Sequence, residues 1–212
     1  MNLKLLLVCI VAAMVLVILM KRATKPASAP IVPIKSTIDG RTYYVQDKPD
    51  KQTAANMLAQ TRAKMIALVE CLKSTKGQVE GLPADDVQKY GPYQERVNRL
   101  IKRFNPDRIA EGNEDIRYTT FTLNKGEKVV FCLRARDGTD DSVHDLPMMT
   151  FVAIHEMGHI ASVTEHHTPE FHANFKWLLL NAVKCGIYKP EDFNRAPRNY
   201  CGMQVTDTPV RS

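Results

Sequence analysis

Between Met148 and Val163 nearly every position is apolar apart from His155, Glu156, His159 and Ser162. Asp145 and Pro147 are start signals for a helix at this point. A helix with so little wettable surface has to be buried, and burying two imidazoles and a carboxylate is costly unless they are paired or bound to a metal. His155 and His159 are four residues apart, so they stand on one face, one turn apart, and can grip a single ion. Glu156 falls at the edge of that ion, placed to take a proton from a water the metal activates. Gly158, between the two histidines, lets another backbone approach closely. The pattern H-E-x-x-H is short, and its context gives it weight. All six histidines of the chain lie between His144 and His172, and a hairpin signal precedes the helix. The competing reading is a helix whose histidines are merely hydrogen-bonded.

A catalytic zinc takes three protein ligands and keeps one position for water. The metzincin spacing would put the third histidine at position 165, which is Glu165, and a glycine at 162, which is Ser162, so that subclass is excluded. His166, His167, Glu170 and His172 remain as candidates. A chain leaving the helix near Val163 needs a few residues to turn back. His167 has that reach, and it is held by the next helix, which Thr168-Pro169-Glu170 starts with a cap, a first-turn proline and a dipole-favoured acid. His166 alternates to the opposite side of the loop. Glu170 is a ligand or a hydrogen-bond partner of a ligand imidazole. His172 reads as an exposed helical residue.

Elsewhere the chain alternates hairpin and helix signals. Asp39-Gly40 followed by Thr42–Val45 predicts a small hairpin. Apolar residues recur at helical spacing from Asp50 to about Leu72, and Gly77, Gly81 and Pro83 end that helix. A second helix carries Val97, Leu100, Ile101 and Phe104. Tyr118–Leu123 and Lys128–Leu133 form a hairpin through Asn124-Lys125-Gly126, and an acidic loop follows at Asp137–Asp141. Thr168 opens a last helix that buries Phe171, Phe175, Leu178, Ala182 and Cys185 and stops at Gly186. The expectation is one α+β domain over residues 36–212, with helices packed on a small antiparallel sheet. Val129–Leu133 is the strand expected to offer a free edge to an extended peptide. Cys71, Cys132, Cys185 and Cys201 are widely and irregularly spaced, with no C-x-x-C, and are read as buried free thiols.

Leu5–Met20 is sixteen residues without a polar side chain. It is read as a single transmembrane helix over residues 1–22, in preference to a cleaved signal peptide. Residues 23–35, rich in proline, are read as a linker. Lys21, Arg22 and Lys25 favour a cytosolic carboxyl side, which makes the chain a single-pass membrane protein. The net charge of +6 is spread along the chain, and no helix-turn-helix, zinc-finger or RNP motif accompanies it. Nucleic acid is therefore only a weakly supported partner.

His155-Glu156-Met157-Gly158-His159 followed by His167-Thr168-Pro169-Glu170-Phe171 resembles the WLM/SprT-like group of minimal zincin peptidases. The stretch from Ile38 to Met203 resembles the WLM-like domain found in giant DNA viruses, with Asn124–Lys128, Phe131–Arg134 and Tyr200–Met203 as further matches. The resemblance implies a zincin-like fold and one Zn2+ held by His155, His159 and His167, with Glu156 as general base. It also implies a peptide or protein substrate and, for an anchored chain, a viral or host membrane. His172 stands where relatives tend to carry Trp, which affects packing beside the pocket and leaves the ligands untouched. Two rival readings remain. One is a non-catalytic, membrane-anchored structural or binding protein that zinc merely stabilises. The other is a peptidase acting on DNA-bound proteins.

Overall fold

The computed structural model describes residues 29–113, 119–136 and 142–210, together with residues 10 and 14. Strands β1 (Ile31–Lys35) and β2 (Thr42–Gln46) form an antiparallel hairpin. Its turn uses the Asp-Gly pair: Gly40 takes φ +71°, open to a residue without Cβ, and the Tyr43 hydroxyl donates to Asp39 Oδ2 at 2.7 Å. Helix α1 (Lys51–Thr75) buries Ala54, Leu58, Met65, Leu68 and Leu72. After the short α2 (Asp86–Tyr90) comes α3 (Tyr93–Arg103), which buries Val97 and Leu100 while Ile101 stays exposed. Strands β3 (Ile109–Glu111), β4 (Phe121–Leu123) and β5 (Lys128–Phe131) complete the main sheet. Helices α4 (Leu146–Ala161) and α5 (Pro169–Lys184) follow, then a separate hairpin of β6 (Arg198–Tyr200) and β7 (Met203–Val205).

The sheet runs β1-β2-β3-β5-β4. It is mixed where an antiparallel sheet was expected: β2 with β3 and β3 with β5 are parallel. The long excursion through α1, α2 and α3 between β2 and β3 is the crossover that parallel pairing requires. β5 is an interior strand, which corrects the expectation that it is an edge. Val129, Val130 and Phe131 are all buried, as befits a strand covered on both faces, and the terminal strand is β4.

Helix α4 lies at the centre, packed against α1, α3 and α5. Asp145 caps it by accepting from the Met148 amide at 3.0 Å, with Pro147 in the first turn, and Ser162 ends it in an extended conformation. Thr168 caps α5 in the same way, accepting from the Phe171 amide. The two helices meet closely at Gly158, where a Cβ would sit 3.5 Å from Phe175 Cα.

Three further expectations are overturned. Among the described residues no helix is long and apolar enough to cross a membrane, so the transmembrane helix and the single-pass membrane assignment are not supported. α1 is long enough but carries charges along its length, and α4 is apolar but has 16 residues where a span needs about 20. Apart from residues 10 and 14, the 1–22 segment lies outside the described residues, as do residues 23–28 of the linker. Residues 31–35 of that linker are not a spacer but strand β1. The four cysteines are not free thiols: Cys71 bonds to Cys185 and Cys132 to Cys201, with Cα–Cα distances of 6.4 and 6.3 Å. Those separations suit a disulfide. Pairs 114 and 69 residues apart meet only through tertiary packing, which their spacing in the chain does not reveal. The acidic loop at 137–141 and Tyr118 lie outside the described residues.

Candidate metal centre

His155 and His159 project from the same face of α4, and His167 comes from the seven-residue loop, 162–168, that joins α4 to α5. His166, at φ +61°, takes the left-handed conformation that turns the chain back and directs His167 towards the helix. His167 Nε2 then lies 3.1 Å from His155 Nε2 and 3.2 Å from His159 Nε2. Zinc–nitrogen bonds of about 2.05 Å at tetrahedral angles put ligand nitrogens about 3.3 Å apart, so these two separations fit a single ion. One ligand atom from each of these residues lies within 4.8 Å of the others, and among the described residues no other such trio of His, Cys, Asp or Glu occurs.

Below the three rings lies Phe171. Its ring centroid is 4.2 Å from that of His159 and 4.8 Å from those of His155 and His167. This apolar floor has an electrostatic effect. Burial, followed by repulsion from the neighbouring histidines, pushes the His155 pKa down to about 3. Burial and the nearby His167 and Lys125 push His159 to about 4, and burial also lowers His167. All three are therefore neutral at pH 7, the form that ligates a metal. A hydrogen bond between two of the rings leaves the third nitrogen facing its neighbours, whereas one cation satisfies all three. The donor set fits zinc.

Glu156 is 3% exposed. Burial raises its pKa to about 7, against the opposing effect of Thr122 Oγ1, which donates to Oε2 at 2.7 Å. A buried carboxyl with a raised pKa, next to His155 in the chain, is suited to proton transfer. Glu156 and the three histidines line one cleft of about 620 Å³. Thr119–Thr122, ending in strand β4, form one wall. Tyr200, Met203 and Val205 of the β6–β7 hairpin form another, and Phe151, Val152 and Phe175 make its apolar end.

The remaining candidates take other places. Glu170 does not approach the rings: its oxygens accept from the Val163 and Thr164 amides at 2.8 and 2.9 Å. His172 meets Phe171 edge to face, with its ring centroid 6.3 Å from that of His167. His144, never a ligand candidate, lies against the Tyr200 ring and Cys201. The Tyr200 hydroxyl donates to the Cys132 carbonyl at 2.9 Å and also meets Thr120 Oγ1, so it ties the cleft wall together. Sequence reasoning missed Thr122, Lys125 and the role of Phe171. Only Phe171 left a signal, a buried position one turn into α5, directly after the cap that fixes His167.

Fold and site together define a class: a mixed α+β domain in which a buried central helix and the loop after it converge three imidazoles beside a buried carboxylate. The chain is similar to the uncharacterized protein R325 of Acanthamoeba polyphaga mimivirus, 28% identical over 198 residues that span 93% of this chain and 92% of that protein. No family model matches the chain, and no solved structure matches it.

Proposed function

We propose that this chain is a zinc-dependent peptidase of the minimal zincin kind, akin to the WLM/SprT-like group that its motif resembles. One observation carries the reading: three imidazoles converge on one point, with the buried Glu156 carboxyl on the same helix and an open cleft above. A zinc-stabilised structural module would close the ion with four protein ligands, and among the described residues three converge.

Zinc held by His155, His159 and His167 would supply Lewis acidity, polarising a carbonyl and making water nucleophilic near neutral pH. Glu156 accepts the proton of the attacking water and delivers it to the departing amine. Thr122 fixes one of its oxygens and leaves the other for that transfer. An extended peptide pairs along the outer edge of β4, the terminal strand beside the cleft. Phe151, Val152 and Phe175 receive an apolar side chain next to the cleaved bond.

The test measures metal content and peptide hydrolysis of the full chain. The parent is expected to hold one zinc, and the His155→Ala, His159→Ala and His167→Ala chains to lose it. Glu156→Gln is expected to keep the metal and lose about 10²–10⁴ in rate. A parent that purifies and reconstitutes without zinc, or a Glu156→Gln chain as active as the parent, would overturn the reading.

A further inference from the structure

The third ligand presents a positioning problem that the first two do not. His155 and His159 sit on a buried helix, whereas His167 ends a loop without regular structure. Left to itself, such a loop has to be ordered each time a ligand is delivered, at a cost in conformational entropy for every residue held. Two oppositely charged side chains hold it from two sides. Lys125 Nζ donates to the carbonyls of Ser162, Val163 and Thr164 at 3.4, 3.1 and 2.6 Å, and it pairs with Glu165 at 3.2 Å. Glu170 accepts the amides of Val163 and Thr164 and the Thr164 hydroxyl, the last at 2.7 Å. The carbonyls of residues 162–164 are thus held from the sheet side, and two of the same residues' amides from α5.

Neither grip is itself loose. Lys125 sits in the β4–β5 turn, where Asn124, Lys125 and Gly126 all take positive φ. That turn is packed tightly on the end of α3: a Cβ on Gly126 would lie 2.7 Å from the Arg103 carbonyl oxygen, and the Asn105 amide donates to the Gly126 carbonyl. Glu170 is fixed in the first turn of α5, directly after the Thr168 cap.

We infer that Lys125 and Glu170 are positioning residues that hold the 162–165 loop so that His167 is delivered to the metal, and that they set the affinity of the site without touching the ion. This rests on the reading of the trio as a zinc site. Its direction of effect separates it from simple electrostatics. A lysine near a dication opposes binding by charge alone, so its loss would tighten binding; as a clamp, its loss weakens binding. Glu170→Asp keeps the charge and shortens the reach by one methylene, so the charge account predicts no change and the clamp predicts a loss.

Zinc affinity is measured on the full chain by competition with a chromophoric chelator, and the visible bands of the cobalt-substituted protein report ligand geometry. Lys125→Met and Glu170→Asp are each expected to weaken zinc binding about 10–100-fold, the usual effect of removing a residue that supports a ligand, and to change the cobalt bands. Lys125→Arg, which still reaches the carbonyls, is expected to recover most of the affinity. If either variant fails to fold without metal, the other carries the test. A parent that binds no zinc removes the proposed function, and this inference with it. A parent that binds, beside folded variants that bind as tightly or more tightly, overturns the clamp alone.

Discussion

Replacing Cys132 and Cys201 together by alanine tests how the cleft wall is held. Their disulfide joins the residue after β5 to the β6–β7 hairpin across 69 residues of chain. Closing a loop of that length removes about 4 kcal/mol of conformational freedom from the unfolded state. A domain of this size has a total stability of about 5–15 kcal/mol, so the double variant should lose a large share of it. With a urea m-value of about 2 kcal/mol/M, the unfolding midpoint should fall by ~2 M. Dithiothreitol should bring the parent down too, further still because it also opens the Cys71–Cys185 bond. Zinc affinity should be unchanged, because the three ligands lie on α4 and its following loop. Peptide turnover should fall, because Tyr200, Met203 and Val205 line the cleft from the released hairpin. A midpoint within ~0.5 M of the parent, together with a parent indifferent to reductant, would refute the cross-link and restore the reading of these cysteines as buried thiols.

Gly158→Ala gains about 1 kcal/mol of helix propensity but places a Cβ 3.1 Å from the Phe171 ring, and overpacking of that kind costs about 1–3 kcal/mol. Thermal melting should show a net loss, with weaker zinc binding because Phe171 floors all three imidazoles; a raised melting temperature would refute the close approach. The metal-free protein should lose stability in acid. His155 and His159 have folded-state pKa values of about 3 and 4, below the ordinary 6.5, so the unfolded chain takes up protons first and stability falls as pH drops from 6.5 towards 4 and 3. Burial alone would raise the carboxyls of Asp145 and Glu170. The hydrogen bonds from Arg198 and the Met148 amide to the first, and from the loop amides to the second, outweigh it and hold both low, which adds a further loss below about pH 4. Urea midpoints that stay level from pH 6.5 to 4 would contradict this. Thr122→Val removes the hydrogen bond that opposes burial at Glu156, so the carboxyl pKa should rise above about 7 and the acid limb of the kcat/KM profile should move to higher pH. An unmoved limb would show that the hydroxyl has no part in setting the base.

The helix that carries His155, Glu156 and His159 was legible because two independent signals coincide in it. Its apolar composition demands burial, and its polar exceptions sit at the spacing of a metal site. The cap at Thr168 was equally plain, and it located His167 between two fixed points. Other features depend on residues distant in sequence. Lys128–Phe131 reads as β-prone whether it lies at an edge or in the interior, and only pairing with β3, from across the α1–α3 excursion, puts it inside. The disulfides and Lys125 are of the same kind. Nothing in Asn124-Lys125-Gly126 indicates that its ammonium will meet carbonyls 37 to 39 residues away. Patterns local in sequence marked most of the elements and the three histidines that converge, and tertiary packing alone placed the residues around them.

The way those supports are arranged explains why so polar a centre is tolerated inside so apolar a helix. The C-terminal carbonyls of α4 would be unsatisfied where the chain turns into the 162–168 loop. Arg99 donates to Ala161 at 2.6 Å, and Arg103 donates to Ile160 and Ser162 at 3.0 and 2.6 Å. Lys125 then continues along the next carbonyls. These three cations meet the negative end of the helix dipole, where positive charge stabilises. Without metal, the structure keeps the Glu156 carboxyl buried and His155 and His159 partly buried, with the exposed His167 ring turned onto them, and withdrawing such polar groups from water is costly. A bound ion offsets it directly, and because the unfolded chain has no assembled site, the binding energy adds to folding stability. On the proposed zinc reading, Lys125, Glu170 and the arginines serve one end: they fix the helix terminus and the loop in advance, so that metal binding would not have to order them.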